Sequence, residues 1–197
     1  QELRGACAIS ALSRAFPQDV EAVVKLLEKA EKPYLHLFLP VSDVFLKNVL
    51  GKSREEGLGL IEQSVKAGKA AGMRLQFSLA EVNEAEEPYL AAAALAACRA
   101  GADVLNLADT NGCMHPGEAG AVFRQIKASL EEFPGVVLGC HFHNDLGLAT
   151  ANTLAALEAG ARHVETTLGG VGGRSGNAPL EEVAFALEAF AGRLKLT

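Results

Sequence analysis

The chain alternates short apolar runs with longer amphipathic stretches, and the period of each run gives its element. In residues 34–39, Leu35, Leu37 and Leu39 share one face while His36, Phe38 and Pro40 share the other. That two-residue period is the mark of a strand. Similar apolar runs predict strands over 6–12, 74–79, 103–107, 136–142 and 163–168. Between them lie helical stretches. Pro17 opens one through about residue 31, with Val20, Val23, Val24 and Leu27 on one side. Ser53 and Glu56 form an S-x-x-E capping box for a helix to about Ala71. Further helices follow from Pro88 to Gly101, from Pro116 to about Phe133, from near Gly147 with Asp145 as its cap, and over 179–193.

An internal repeat underlies this order. Gly72, Gly101 and Gly160 each close a helix and lead into a strand, and they stand 29 and then 59 residues apart, one and two units of a strand-helix repeat. Repeating βα units with apolar strands predict a parallel sheet covered by helices. Six units in one domain spanning 1–197 are two short of an eight-stranded barrel, which takes about 250 residues. A doubly wound sheet would account for six units equally well. Two loops stand out: 41–52, longer than a minimal βα connection, and the acidic 81–87, which reads first as a solvated loop.

Composition narrows the class. Of 197 residues 49% are hydrophobic, enough for one sizeable core, and the net charge of −6 argues against nucleic acid or an anionic membrane as partner. No apolar run reaches the roughly 18 residues of a spanning helix and no signal peptide opens the sequence. Cys7, Cys98, Cys113 and Cys140 show no C-x-x-C pairing. The expectation is reduced thiols in a cytoplasmic protein.

The chemistry concentrates at 138–151. His141 and His143 sit two apart on an apolar strand, so both imidazoles project from one face, about 7 Å apart along the chain. Alone, the pair reads as a metal site or as core histidines; the following Asn144-Asp145-Leu146-Gly147 favours a site. Cys140, between Gly139 and His141, points the other way. A second stretch, Gly169 to Asn177, is glycine-rich but fits neither G-x-G-x-x-G nor a P-loop. It reads as a backbone-rich loop ending in Asn177, a possible oxygen ligand.

Together these stretches resemble the acetyl-CoA-dependent condensing enzymes, the homocitrate synthase and 2-isopropylmalate synthase family of the DRE-TIM metallolyases. Leu138 to Ala151 fits the family's signature at every fixed position, and 151–156 and 176–183 look similar. The resemblance implies a TIM (β/α)8-type barrel, here partial, in which the first strand looks like the family's third. The family's first two units and its later regions are then not in this sequence. It also implies a Claisen-type condensation of acetyl-CoA with a 2-oxo acid, assisted by a divalent metal (Zn, Mn or Mg), in a protein that is a homodimer at full length. In such a barrel the site gathers where strands end. The implied metal ligands are His141, His143 and Asn177. The implied substrate-side residues are His36, Ser42, Ser78 and Thr110.

Departures from the family pattern fall at informative places. Ala80 stands where the family has a glutamate; Glu81 beside it is the candidate catalytic carboxylate, although alternation turns it the other way unless the strand bulges. Gly173 stands where synthases carry a glutamate. Residues 39–43 and 149–153 look closest to homocitrate synthases, with 2-isopropylmalate or citramalate synthase as the alternative. A non-catalytic partial barrel that binds metal or a partner chain is the reading from another class. A 3-hydroxy-3-methylglutaryl-CoA lyase fits less well, because no cysteine lies between Gly173 and Asn177.

Overall fold

The computed structural model describes residues 7–192. Six parallel strands form one sheet: β1 (Ile9–Arg14), β2 (Pro33–Pro40), β3 (Arg74–Ala80), β4 (Val104–Asp109), β5 (Val137–Phe142) and β6 (His163–Glu165). Their order in the sheet is their order in the chain. A doubly wound sheet reverses direction at a switch point; this one never does. The intervening helices are α1 (Pro17–Leu27), α2 (Arg54–Ala70), α3 (Glu87–Ala100), α4 (Pro116–Ser129), α5 (Ala149–Glu158) and α6 (Leu180–Ala189). Each helix touches the next along the series, which requires all six to lie on one side of the sheet. The expected partial TIM barrel is therefore what the chain forms, with β1 and β6 as open edges.

The strand period divides the sheet's faces. Leu35, Leu37, Leu39, Leu75, Phe77, Leu79, Leu105 and Leu107 point outward and are fully buried against Ile61, Val65, Ala93, Ala97 and Phe123 of the helices. The concave face is polar: Phe38, Ser78, Asn106, Gly139 and His163 form one paired row, and Pro40, Ala80, Ala108, His141 and Glu165 the next. Gln76 on β3 donates to Glu165 on β6, three strands away. On a flat sheet three spacings amount to about 14 Å, so this contact reports the curl directly.

Several expected boundaries move, each for a local reason. The first strand, expected from Ala6, begins at Ile9, and Ala6 lies outside the described residues. The α1 and α4 helices stop at Leu27 and Ser129, short of 31 and 133, because the chain must leave helical geometry before Pro33 and Pro134. The β6 strand ends at Glu165 instead of 168, since Thr167 turns to pair with Ala178 and Leu180. The α5 helix is capped by the Asn144 side chain, whose Oδ1 accepts from Ala149 N at 3.1 Å; Asp145 is not its cap. The α6 helix starts at Leu180, and Arg193, its expected end, lies outside the described residues. The Ser53–Glu56 capping box forms as expected. None of the described helices is long and apolar enough to cross a membrane.

Helix α2 approaches the sheet through Gly68, where an added Cβ would meet the Leu35 and Leu75 methyls at 2.6 Å. Both leucines are fully buried and have no room to yield. Gly68→Ala gains about 1 kcal/mol of helix propensity but overpacks the interface by about 1–3 kcal/mol. Urea unfolding is expected to give a net loss. Gly59 on the same helix has nothing within 4 Å of its added Cβ, so Gly59→Ala should stabilise.

Candidate functional site

The C-terminal ends of β3, β4 and β5 bring the rim residues together. Beyond β3 the chain does not bulge; it turns left-handed at Glu81, with φ of 59° and ψ of 40°. A residue with a Cβ adopts that conformation only when its surroundings hold it. Here Thr110 Oγ1 accepts from Glu81 N at 3.0 Å, and the Glu81 carboxylate accepts from the Ser42 hydroxyl. The turn thus redirects Glu81 toward loop 41–52, overcoming the alternation that would have sent it away. Ser42 also accepts from Phe45 N at 3.1 Å, capping a single wide helical turn over Phe45–Val49 that the sequence had not suggested.

Thr110 is presented by the buried Asp109, whose carboxylate accepts from Cys113 N at 3.2 Å and Met114 N at 2.9 Å. The backbone carbonyl of Asp109 also accepts from His143 N at 3.3 Å, so the ends of β4 and β5 are tied. His141 and His143 project to the same side, their rings edge to face with centroids 4.9 Å apart. Asn177 reaches them through an antiparallel bridge to His143.

The glycine loop makes this approach possible. The Asn177 amide lies so close over Gly172 that an added Cβ would stand 2.2 Å from its nitrogen, and Gly176, at φ of +95°, would collide with the Gly170 carbonyl. Arg174 then pins the loop. Its guanidinium grips both Asp145 oxygens, at 2.8 and 2.9 Å, and donates to the Thr110 carbonyl at 2.6 Å. This fork, which the sequence reading missed, accounts for Asp145.

Two buried polar atoms at this point, His143 Nδ1 and Asn177 Oδ1, have no partner among the described residues, and His141 Nδ1 has only Glu165 nearby, outside hydrogen-bond geometry. Burial, then the neighbouring His141 and Arg174, pull the His143 pKa below the usual imidazole value. Its ring is thereby kept neutral, as a metal ligand must be. No three His, Cys, Asp or Glu side chains converge as a ligand set among the described residues. The fit to a divalent cation is two imidazoles plus an amide oxygen, with positions open for other ligands.

His36 and Ser78 stand inside the barrel, short of the strand ends. Ser78 Oγ lies 2.7 Å from His36 Nε2 and accepts from Asn106 Nδ2 at 2.9 Å. Gln76 Nε2 lies 3.0 Å from the same His36 nitrogen and donates to Glu165 at 2.5 Å, while Tyr34 donates to Gln76 Oε1 at 3.1 Å. Glu165 Oε2 is 2.8 Å from His141 Nδ1. Burial opposes ionisation of Glu165, but the hydrogen bonds from His141 and Gln76 and the charges of His36 and His141 prevail, holding its pKa at about 2. Gln76 and Glu165 were also missed. Alternation alone would have found both, since each shares a face with a histidine already singled out. Tyr34, His36, Gln76, His141, His163, Glu165 and Asn177 line a cavity of about 450 Å3.

Burial is the first cause that lowers the pKa of His36, of His143 and of His163. The unfolded chain takes up these protons near pH 6.5, the folded protein only below that, so stability is complete above about pH 6.5 and falls with acidification. Glu165 enters only below its unfolded value, at more acid pH. The melting temperature is expected to drop between about pH 7.5 and about pH 5.5, and His163→Asn to flatten that slope in a calorimetric pH series. An unchanged slope would contradict the assignment for His163.

Comparison with known proteins follows the same lines. The chain is 42% identical over 179 residues to the 2-isopropylmalate synthase of Bacillus cytotoxicus, covering 91% of this chain and 35% of that protein. It is 42% identical over 181 residues to methylthioalkylmalate synthase 1-1, chloroplastic, of Eutrema japonicum, covering 91% and 36%. The chain thus spans about a third of the length of these curated relatives. A crystal structure of hydroxymethylglutaryl-CoA lyase from Pseudomonas aeruginosa superposes with a TM-score of 0.80 at 20% identity, over 95% of this chain and 64% of that one, which speaks to the fold. The HMGL-like family model matches residues 1–196, and the chain therefore belongs to the HMGL-like family.

Proposed function

We propose that this chain is the greater part of the barrel of an acyltransferase that condenses acetyl-CoA with a 2-oxo acid. The observation that carries the reading is the meeting of two histidine rings with an unpartnered Asn177 amide oxygen beside β5. The 42% identity to a 2-isopropylmalate synthase supports the same reaction class.

His141, His143 and Asn177 would hold a divalent cation, Zn, Mn or Mg, which when bound supplies Lewis-acid polarisation of a carbonyl oxygen. Thr110 and His36 serve the 2-oxo acid, one from the rim and one from the cavity wall. Glu81 is the carboxylate for proton transfer at the rim. It takes a proton from the acetyl methyl, the methyl carbon bonds to the keto carbon, and the keto oxygen is protonated to a hydroxyl. Water then cleaves the thioester and releases the CoA thiol. Ser42 and Ser78 are positioning groups in this scheme: Ser42 holds Glu81, and Ser78 is already engaged by His36 and Asn106.

The choice of 2-oxo acid turns on what the homocitrate-like segments do. Asp43 accepts from Lys47 and Arg54, Asn152 donates to the Met114 carbonyl, and Thr153 donates to the Ala149 carbonyl. These side chains are spent on the fold and carry little substrate information. That favours a 2-isopropylmalate type of condensation over a homocitrate type. The homodimer of the full-length protein is part of the same proposal.

The test is thiol release from acetyl-CoA with 2-oxoisovalerate, 2-oxoglutarate or pyruvate, together with calorimetric Mn2+ titration. We expect 2-oxoisovalerate to be preferred, and Glu81→Gln to lower kcat about 10²- to 10⁴-fold. His143→Ala should abolish metal binding, whereas His36→Ala should keep it and raise KM for the 2-oxo acid. Preference for 2-oxoglutarate would restore the homocitrate reading. Metal affinity unchanged in folded His143→Ala would sink the site.

A further inference from the structure

Glu165 is the one strand carboxylate on the concave face among the described residues, and the polar groups around it are arranged to fix its position. Its Oε1 accepts from Gln76 Nε2 at 2.5 Å, and Gln76 is held in turn by the Tyr34 hydroxyl at 3.1 Å. His36 Nδ1 stands 3.7 Å from the same oxygen. Its Oε2 lies 2.8 Å from His141 Nδ1, close enough to accept from it, although the ring as it stands does not meet hydrogen-bond geometry. The side chain is three-quarters buried, at 23% exposure, so neither oxygen is free to wander.

We propose that Glu165 is the positioning residue for His141: by accepting from Nδ1–H it selects the tautomer whose lone pair is on Nε2 and aims that nitrogen at the cation site. The proposal rests on the reading of His141 as a ligand. A ring nitrogen's role is set by the hydrogen bond the other nitrogen makes, and carboxylates in this position orient ligating histidines and raise their basicity. The alternative, in which Glu165 is itself a ligand, is disfavoured because no three His, Cys, Asp or Glu side chains converge on one point among the described residues. Both Nδ1 atoms are buried and make no hydrogen bond as the rings stand, but only that of His141 has a carboxylate oxygen 2.8 Å away. The strut Tyr34–Gln76–Glu165–His141 therefore couples β2, β3 and β6 to one histidine of the pair and not to the other.

The test separates tautomer from metal. Imidazole nitrogen NMR on the metal-free protein near about pH 8.5, where imidazoles are neutral, should show His141 as the Nδ1–H form. Folded Glu165→Ala should lose that preference and bind Zn2+ about 10- to 100-fold more weakly by calorimetry. Glu165→Gln, whose amide oxygen still accepts, should keep most of the tautomer preference and lose less affinity than Glu165→Ala. A wild-type His141 in the Nε2–H form overturns the proposal without any variant, and so does an unchanged tautomer or unchanged Zn2+ affinity in folded Glu165→Ala. Unchanged Zn2+ affinity in folded His143→Ala would instead overturn the ligand reading itself, while the metal-free spectra still report on Glu165 alone.

Discussion

A parallel strand sends alternate side chains to opposite faces, and neighbours in register send theirs to the same face. In this chain the leucines of β2, β3 and β4 take the outward phase and meet six helices that all lie on that side. The inward phase is left for Tyr34, His36, Gln76, Ser78, Asn106, His141 and Glu165. Shifting one strand by a residue would put leucines into the cavity and a glutamine or histidine under a helix. Burial of the helix layer and assembly of the polar cluster are thus one constraint seen from two sides. The register that stabilises the fold also sets which strand faces which across the cavity.

At the rim the constraint changes from side-chain period to backbone contact. Three loops, after β3, β4 and β5, meet the glycine loop after β6, and each contact involves a backbone group: Glu81 N to Thr110, His143 N to the Asp109 carbonyl, Asn144 N to the Gly176 carbonyl, Arg174 to the Thr110 carbonyl. Such approaches need residues without a Cβ where chains nearly touch, which is why Gly172 and Gly176 sit against Asn177 and Gly170. Flexibility purchased this way would loosen the loop if nothing held it. The Arg174–Asp145 fork does the holding, its planar guanidinium matching a carboxylate as a lysine ammonium could not.

What the sequence made legible follows from this division. The strands, their phase, the helices near prolines and the His141–His143 pair are local signals, and each falls in its expected element with some boundaries moved by a few residues. The barrel itself rested on resemblance, because a six-unit βα repeat does not fix the order of strands in the sheet. Glu81 was found but its route was not: a left-handed turn at a glutamate has no local signature and arises from Thr110, 29 residues on. Asp145 was read as a helix cap because Asp before a helix usually is one; Asn144 took that role and freed Asp145 for Arg174. Glu165 sat within a Thr-rich run that read only as a strand. Its meaning depends on Gln76, 89 residues earlier.

The polar interior also has a cost that indicates where stability was set aside. Most of its groups are matched: Ser78 bonds to Asn106 and His36, Gln76 to Tyr34 and Glu165. Besides His141 Nδ1, which lies 2.8 Å from Glu165 outside hydrogen-bond geometry, His143 Nδ1, Asn177 Oδ1 and Asn106 Oδ1 are buried without partners among the described residues, and an unsatisfied buried polar atom costs about 1–3 kcal/mol. Asn106 Oδ1 faces Gly139, 2.8 Å from where a Cβ would stand, so its gap is one of packing. The other two belong to residues joined by a backbone bridge beside the imidazole pair. Leucines there would remove the penalty and fill the space. Under the proposed reading a divalent cation completes these two atoms, and an imidazole nitrogen beside an amide oxygen suits one.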